Sequence, residues 1–116
     1  MSEKDCLFCK IVAGDIAADI VFESDSSVAF RDINPKAPTH VLVIPKRHVA
    51  TINGLTAGDE HLIGDLFFVA KQIAADEGLA DDGYRVVMNC NAAAGQTVFH
   101  IHLHMLGGRS MSWPPG

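Results

Sequence analysis

The chain has no stretch approaching the ~20 apolar residues that a membrane-spanning helix needs. Its opening, MSEKDCLFCK, is charged where a secretory leader would carry an apolar core. A cytoplasmic protein with no membrane partner is the expectation. Basic residues are outnumbered, 9 against 14 acidic, for a net charge of -5, and they are scattered rather than gathered into a stripe. That argues against nucleic acid as a partner. Cysteine is scarce: Cys6, Cys9 and Cys90 make an odd set of three, and Cys6 and Cys9 stand as C-x-x-C. Metal binding or redox chemistry suits this better than a disulfide framework. Repeats, low-complexity tracts and long linkers are missing too. The 116 residues, 48% of them hydrophobic, therefore read as a single domain over 1–116 with a core of its own.

Hydrophobic spacing sets the expected elements. Residues 7–13 (LFCKIVA), ended by Gly14, suit a short helix, while 20–23 (IVFE) and 27–31 (SVAFR) suit two strands around a tight turn at Ser24–Ser26. The β-branched run at 40–45 (HVLVIP) predicts a strand buried on both faces and closed by Pro45. From Asp59 to Glu77 apolar residues recur at helical spacing, with Gly78 as the stop. Strands at 84–89 and 99–106 complete the set. About five strands joined mostly by short connections, with one long and one short helix, predict an α+β fold around an antiparallel sheet.

Between Phe99 and Leu106 the residues alternate strictly, His100, His102 and His104 against Ile101, Leu103 and Met105. A period of two predicts a strand that carries all three imidazoles in one row, spaced roughly 6.6–6.8 Å apart. One histidine on a strand's solvent face is ordinary. Three in register offer a nucleophile and proton donors near neutral pH, or metal ligands. Upstream, Asn89 ends a strand, and Gly95-Gln96-Thr97 leads into the histidine segment. Gly95 permits close backbone approach to an anion, and the amide and hydroxyl beside it suit a phosphate cradle, although such residues are also common turn formers.

His100-Ile-His102-Leu-His104-Met-Leu resembles the H-φ-H-φ-H-φ-φ signature of the histidine triad (HIT) superfamily. FCKIVAGDI, AFRDINPKAPTHVLVIPKRH, GYRVVMN and LGGR ending in WPPG resemble its nucleotide-binding (Hint) branch, so the likeness runs through almost the whole chain. The resemblance implies a HIT-like fold. It implies a hydrolase that cleaves nucleoside 5'-phosphoramidates or related nucleotidyl conjugates at the α-phosphorus. His102 would be the nucleophile that carries a covalent nucleotidyl intermediate. By the same resemblance His104, Asn89, Gln96 and Thr97 surround the phosphate and leaving group, with Gly95 in their loop. Asp32 accepts from the ribose hydroxyls, Phe8, Ile16 and Ile33 line a purine pocket, and His40 supports the triad.

The C-x-x-C spacing lets Cys6 and Cys9 reach one ion, and His48 and His100 are available as nitrogen ligands. Spacing alone also suits two buried thiols in a short helix. A thioredoxin-like role does not fit, because the pair does not follow a strand in a βαβ unit. Bacterial proteins that this chain resembles use the matching Cys₂His₂ set for structural zinc, which would make His100 a ligand rather than a proton shuttle. Two departures from the family pattern stand out. Ala17 replaces a frequent proline beside the base pocket, and Ala94-Gly95-Gln96-Thr97 carries threonine where serine is frequent. The resemblance further implies a homodimer with Trp113-Pro114-Pro115-Gly116 near the neighbouring site. A nucleotide- and zinc-binding regulatory module with negligible turnover is the alternative function.

Overall fold

A computed structural model describes residues 3–116. Its regular elements are α1 (Leu7–Ala13), β1 (Ile20–Glu23), β2 (Ser27–Arg31), β3 (Thr39–Pro45), α2 (Glu60–Asp76), β4 (Tyr84–Val87) and β5 (Leu103–Gly107). The strands form one antiparallel sheet in the order β1-β2-β3-β5-β4. The expected α+β fold with a five-stranded sheet, one long helix and one short helix is what forms. No helix of the described residues is long and apolar enough to cross a membrane.

Local chemistry explains the boundaries. Cys6 caps α1 by accepting from the Cys9 N–H, and Gly14 ends the helix in the left-handed region at φ 82°. The β1–β2 turn closes on Ser24, whose N–H donates to Ser27 O and whose hydroxyl oxygen accepts from the Ser26 and Ser27 N–H groups. α2 stops where Gly78 turns positive in φ, and Leu79 N–H caps Ala74 O.

β3 lies at the centre of the sheet and feeds two cores, as its unbroken apolar run predicts. Val41 and Val43 join Leu103 and Met105 of β5 against Leu66, Val69, Ala70 and Ile73 of α2. Leu42 and Ile44 face the other way and pack with Val28 and Phe30 of β2 against Cys6, Phe8 and Ile11. Leu42 pairs with His104 in the ladder. His104 therefore lies on the α1 face, while α2 covers the back.

The histidine strand is shorter than its alternation predicts, running from Leu103 rather than from Phe99. Its ladder with β3 begins at Val43–Leu103, and one further step would bring it towards Pro45. Proline offers no N–H, and its carbonyl is taken by the His100 ring at 2.7 Å. The Ile101 N–H turns instead to Val49 O at 2.8 Å. As the chain leaves the sheet here, β4 loses its partner after the Val87–His104 pair and ends at Val87 rather than Asn89.

Candidate active site and metal centre

The departure from the sheet splits the three histidines between two sites. His100 is fully buried and turns away to meet Cys6, Cys9 and His48. The three imidazoles do not form one row. His102 and His104 stay together, ring centroids 4.9 Å apart, and both line a cleft of about 660 Å³ beside α1.

In the first cluster, Cys6 Sγ and Cys9 Sγ each lie 3.5 Å from His100 Nδ1. Cys9 Sγ lies 3.2 Å from His48 Nδ1, and the two Nδ1 atoms are 3.3 Å apart. All four donor atoms fall within 4.8 Å of one another. Bonds of 2.0–2.3 Å to a tetrahedral ion require donor separations of roughly 3.3–3.8 Å, so the cluster has the dimensions of a closed Cys₂His₂ site. The protonation pattern fits too. Pro45 O can only accept, so His100 carries its proton on Nε2 and presents Nδ1 as a lone pair to the cluster. Burial, the neighbouring Cys6 and the charge of Glu3 push the Cys9 thiol up to about 12, an environment in which thiolates call for a cation. These residues can hold a metal ion.

In the cleft, hydrogen bonds determine where each ring proton resides. The Lys36 N–H can only donate, so at 3.0 Å it makes His40 Nδ1 the acceptor. The proton of neutral His40 is then on Nε2, 2.9 Å from His104 Nδ1 and 3.5 Å from Asp32 Oδ2. His104 accepts at Nδ1 and so carries its own proton on Nε2. His102 Nδ1–H donates to the His100 carbonyl at 2.8 Å, which leaves Nε2 as a bare lone pair. Burial lowers the affinity of His40, His100 and His102 for a second proton, and His104 falls to about 4 through burial first, then repulsion from His102 and His40. A bare imidazole nitrogen on His102 and a neutral ring N–H on His104 thus belong to neighbouring rings.

The remaining wall is apolar below and polar at the rim. Phe8 is buried and meets His102 edge-on at 5.0 Å and Phe30 at 5.4 Å. Ile16, Asp32, Ile33 and Thr97 line the cleft, Ile33 fully exposed. Ala17 lies beside Ile16 in the same wall. Asp32 Oδ1 accepts from the Asn34 N–H at 2.8 Å, which fixes its turn. Leu7, Ile11, Ala18, Asp19, Phe30, Arg31, Leu42 and Val98 also contribute. Sequence reasoning missed them, since only the strand alternation around Phe30 and Leu42 hints at a shared face.

Four residues proposed for nucleotide contact are not part of this lining. His40 is buried behind His104. Gln96 is 5% exposed and its side chain is committed to the protein. Oε1 accepts from the Asn91 N–H at 2.8 Å, and Nε2 donates to Ala50 O at 2.8 Å and Val98 O at 3.1 Å. Gly95 supplies the left-handed turn of that loop at φ 91°, which any side chain would strain. Asn89 lies beyond β4, half-buried.

The sequence and the fold have counterparts. The HIT domain profile matches residues 13–111, and the chain belongs to the HIT family. An uncharacterized HIT-like protein of Synechococcus elongatus is 53% identical over 116 residues, covering 100% of both chains. The purine nucleoside phosphoramidase of Escherichia coli is 47% identical over 108 residues, covering 93% of this chain and 91% of that one. A crystal structure of a HIT family hydrolase from Legionella pneumophila superposes with a TM-score of 0.95 at 55% identity, over 97% of this chain and 100% of that one. Cys6 and Cys9 lie outside the residues that the family profile matches.

Proposed function

We propose that the protein is a purine nucleotide-binding hydrolase that cleaves nucleoside 5'-phosphoramidates or related nucleotidyl conjugates at the α-phosphorus, with His102 as nucleophile. The observation that carries this reading is the bare Nε2 of His102, held by the Nδ1–H bond to His100 O and set beside the Nε2–H of His104 in one cleft. The named activity of the E. coli relative points the same way.

In the first step the His102 Nε2 lone pair forms a bond to phosphorus and the P–N bond to the leaving amine breaks, its electron pair departing on nitrogen. The His104 Nε2 proton passes to that amine, and His104 Nδ1 can draw the His40 Nε2 proton towards it in compensation. The positive charge on the nucleotidylated imidazole is stabilised by the Nδ1–H bond to His100 O. In the second step water attacks phosphorus, its proton goes to His104 Nε2, and the P–N bond to His102 breaks to release the nucleoside monophosphate. Asn89 and Thr97 are free to donate to phosphoryl oxygens where charge grows. Gln96 serves by holding the Thr97 loop rather than by its amide touching substrate. Asp32 takes the ribose hydroxyls, and Phe8, Ile16 and Ile33 pack on the purine. The volume of about 660 Å³ lies within the ~300–1,000 Å³ range of small-molecule sites.

The Cys6-Cys9-His48-His100 set holds structural zinc in this reading, since two thiolates and two imidazoles favour that ion. When bound, the ion supplies a closed cross-link between α1, the segment after β3 and the histidine segment. The protein works as a cytoplasmic homodimer of single-domain chains on small nucleotides, without nucleic acid or membrane partners.

The test is release of a fluorogenic amine from adenosine 5'-phosphoramidate by the purified protein, with His102→Ala in parallel. Release lost in the variant supports the enzyme. No release from folded protein that binds AMP would leave the regulatory module instead.

A further inference from the structure

The proton pattern in the cleft begins at an unexpected place. Lys36 N–H is the donor that selects the tautomer of His40, and Lys36 sits between Pro35 and Ala37-Pro38 in a loop with no strand to hold it. What holds it is the turn after β5. Arg109 grips the Lys36 carbonyl with two N–H groups, Nη2 at 2.9 Å and Nε at 3.1 Å, while Nη1 donates to Ser110 O at 3.0 Å. Gly108 makes the approach possible. It adopts φ +90°, and a Cβ there would lie 2.9 Å from Pro38 Cβ.

From this we infer that Arg109 is a positioning residue for the hydrolytic reaction, fixing Lys36 so that its N–H sets the His40 tautomer and, through it, the proton on His104 Nε2. The inference rests on the function proposed above for its catalytic consequence, but not for its structural one. Two N–H groups of one planar guanidinium meet the Lys36 carbonyl while a third is anchored on Ser110 O, a fixed fork that a lysine ammonium cannot match. Without the clasp, the Lys36 N–H moves off His40 Nδ1 and His40 can carry its proton on either nitrogen. A His40 protonated at Nδ1 offers His104 no donor, and His104 then loses its fixed Nε2–H.

The experiment reads the tautomers directly, by ¹⁵N correlation spectra of histidine-labelled full-length protein at pH 7.5, with kinetics on the same samples. In the unmodified protein His40 and His104 should show Nε2-protonated patterns. Arg109→Ala should shift both towards a mixture while His102 stays Nδ1-protonated. It should lower kcat about three- to ten-fold, the size expected for one hydrogen-bonded anchor, with KM changed less than two-fold. Gly108→Ala, which pushes the turn away from Pro38 by a separate route, should reproduce the spectral change, and Arg109→Lys should restore part of it. His40→Gln combined with Arg109→Ala should be no slower than His40→Gln alone. Unaltered His40 and His104 spectra in both Arg109→Ala and Gly108→Ala, or additive losses in the double variant, would overturn the inference. An inactive but spectroscopically normal parent protein would count against the proposed reaction and leave the tautomer result to stand or fall by itself.

Discussion

The two histidine clusters use the same side chain in opposite ways. Around Cys6, Cys9, His48 and His100, four donor atoms lie within 4.8 Å of one another, and His100 Nδ1 is 3.3–3.5 Å from each of the other three. Around His40, His102 and His104, ring protons fill the contacts between side chains and the one bare nitrogen opens on a cleft. The lesson is that the partner of the second ring nitrogen decides the role. Pro45 O leaves His100 Nδ1 facing the thiols, and the His100 carbonyl leaves His102 Nε2 bare. His100 belongs to both clusters, by its ring to one and its backbone to the other.

His102 is where the two clusters differ most in consequence. His102→Ala should lower turnover by about a thousand-fold or more, as expected when a covalent nucleophile is removed, while calorimetry shows AMP affinity within a few-fold of the parent. Equal loss of binding would mean that the ring builds the pocket rather than the reaction.

Next in size is the closed cluster. Protein purified without chelator should contain about one zinc per chain, and Cys9→Ser should cost roughly 3 kcal/mol of stability, a drop of about 10 °C or more in Tm. AMP affinity should change far less. A variant that melts normally but binds AMP poorly would reverse the assignment of the two clusters.

Acid sharpens the contrast within the cleft. His104 holds its second proton only at about 4 in the folded protein, against ~6.5 in an unfolded chain. Between those values the unfolded state binds more protons, so stability rises with pH across that window and is lost as pH falls from 6.5 towards 4. NMR titration should show His104 still neutral at pH 5.5. Protonation near 6.5 would contradict the burial argument. The smallest effect is expected at Gln96, which touches neither cluster. Gln96→Ala removes three internal hydrogen bonds and should cost about 1–3 kcal/mol in urea unfolding, since it leaves the loop's polar groups unpaired. KM should rise through the loosened Thr97, with AMP-derived product unchanged in identity.

Much of this was legible in the sequence because it is written locally. The C-x-x-C pair, the unbroken run of β3, the helical spacing from Leu62 to Ala74 and the Gly14 and Gly78 stops each depend on near neighbours, and α1, β3 and α2 formed within a residue or two of expectation. The alternation of the histidines was legible, but its reach was not. The strand ends where Pro45 and Val49, more than fifty residues earlier, claim the His100 ring and the Ile101 N–H. The Gln96 amide resembled a ligand donor for the same reason: nothing nearby announces that Ala50 O is its partner. The Arg109 clasp on Lys36 joins residues with no sequence pattern to connect them.

The claim at the centre is that His102 carries the nucleotidyl group, and the direct measurement is intact-protein mass spectrometry on a rapidly mixed reaction with adenosine 5'-phosphoramidate, quenched in neutral denaturant because the P–N bond is acid-labile. A transient species heavier by one adenylyl group, mapped to His102, should decay as AMP appears and be missing from His102→Ala. Sustained turnover by His102→Ala, or an adenylyl group mapped to another residue, would contradict it.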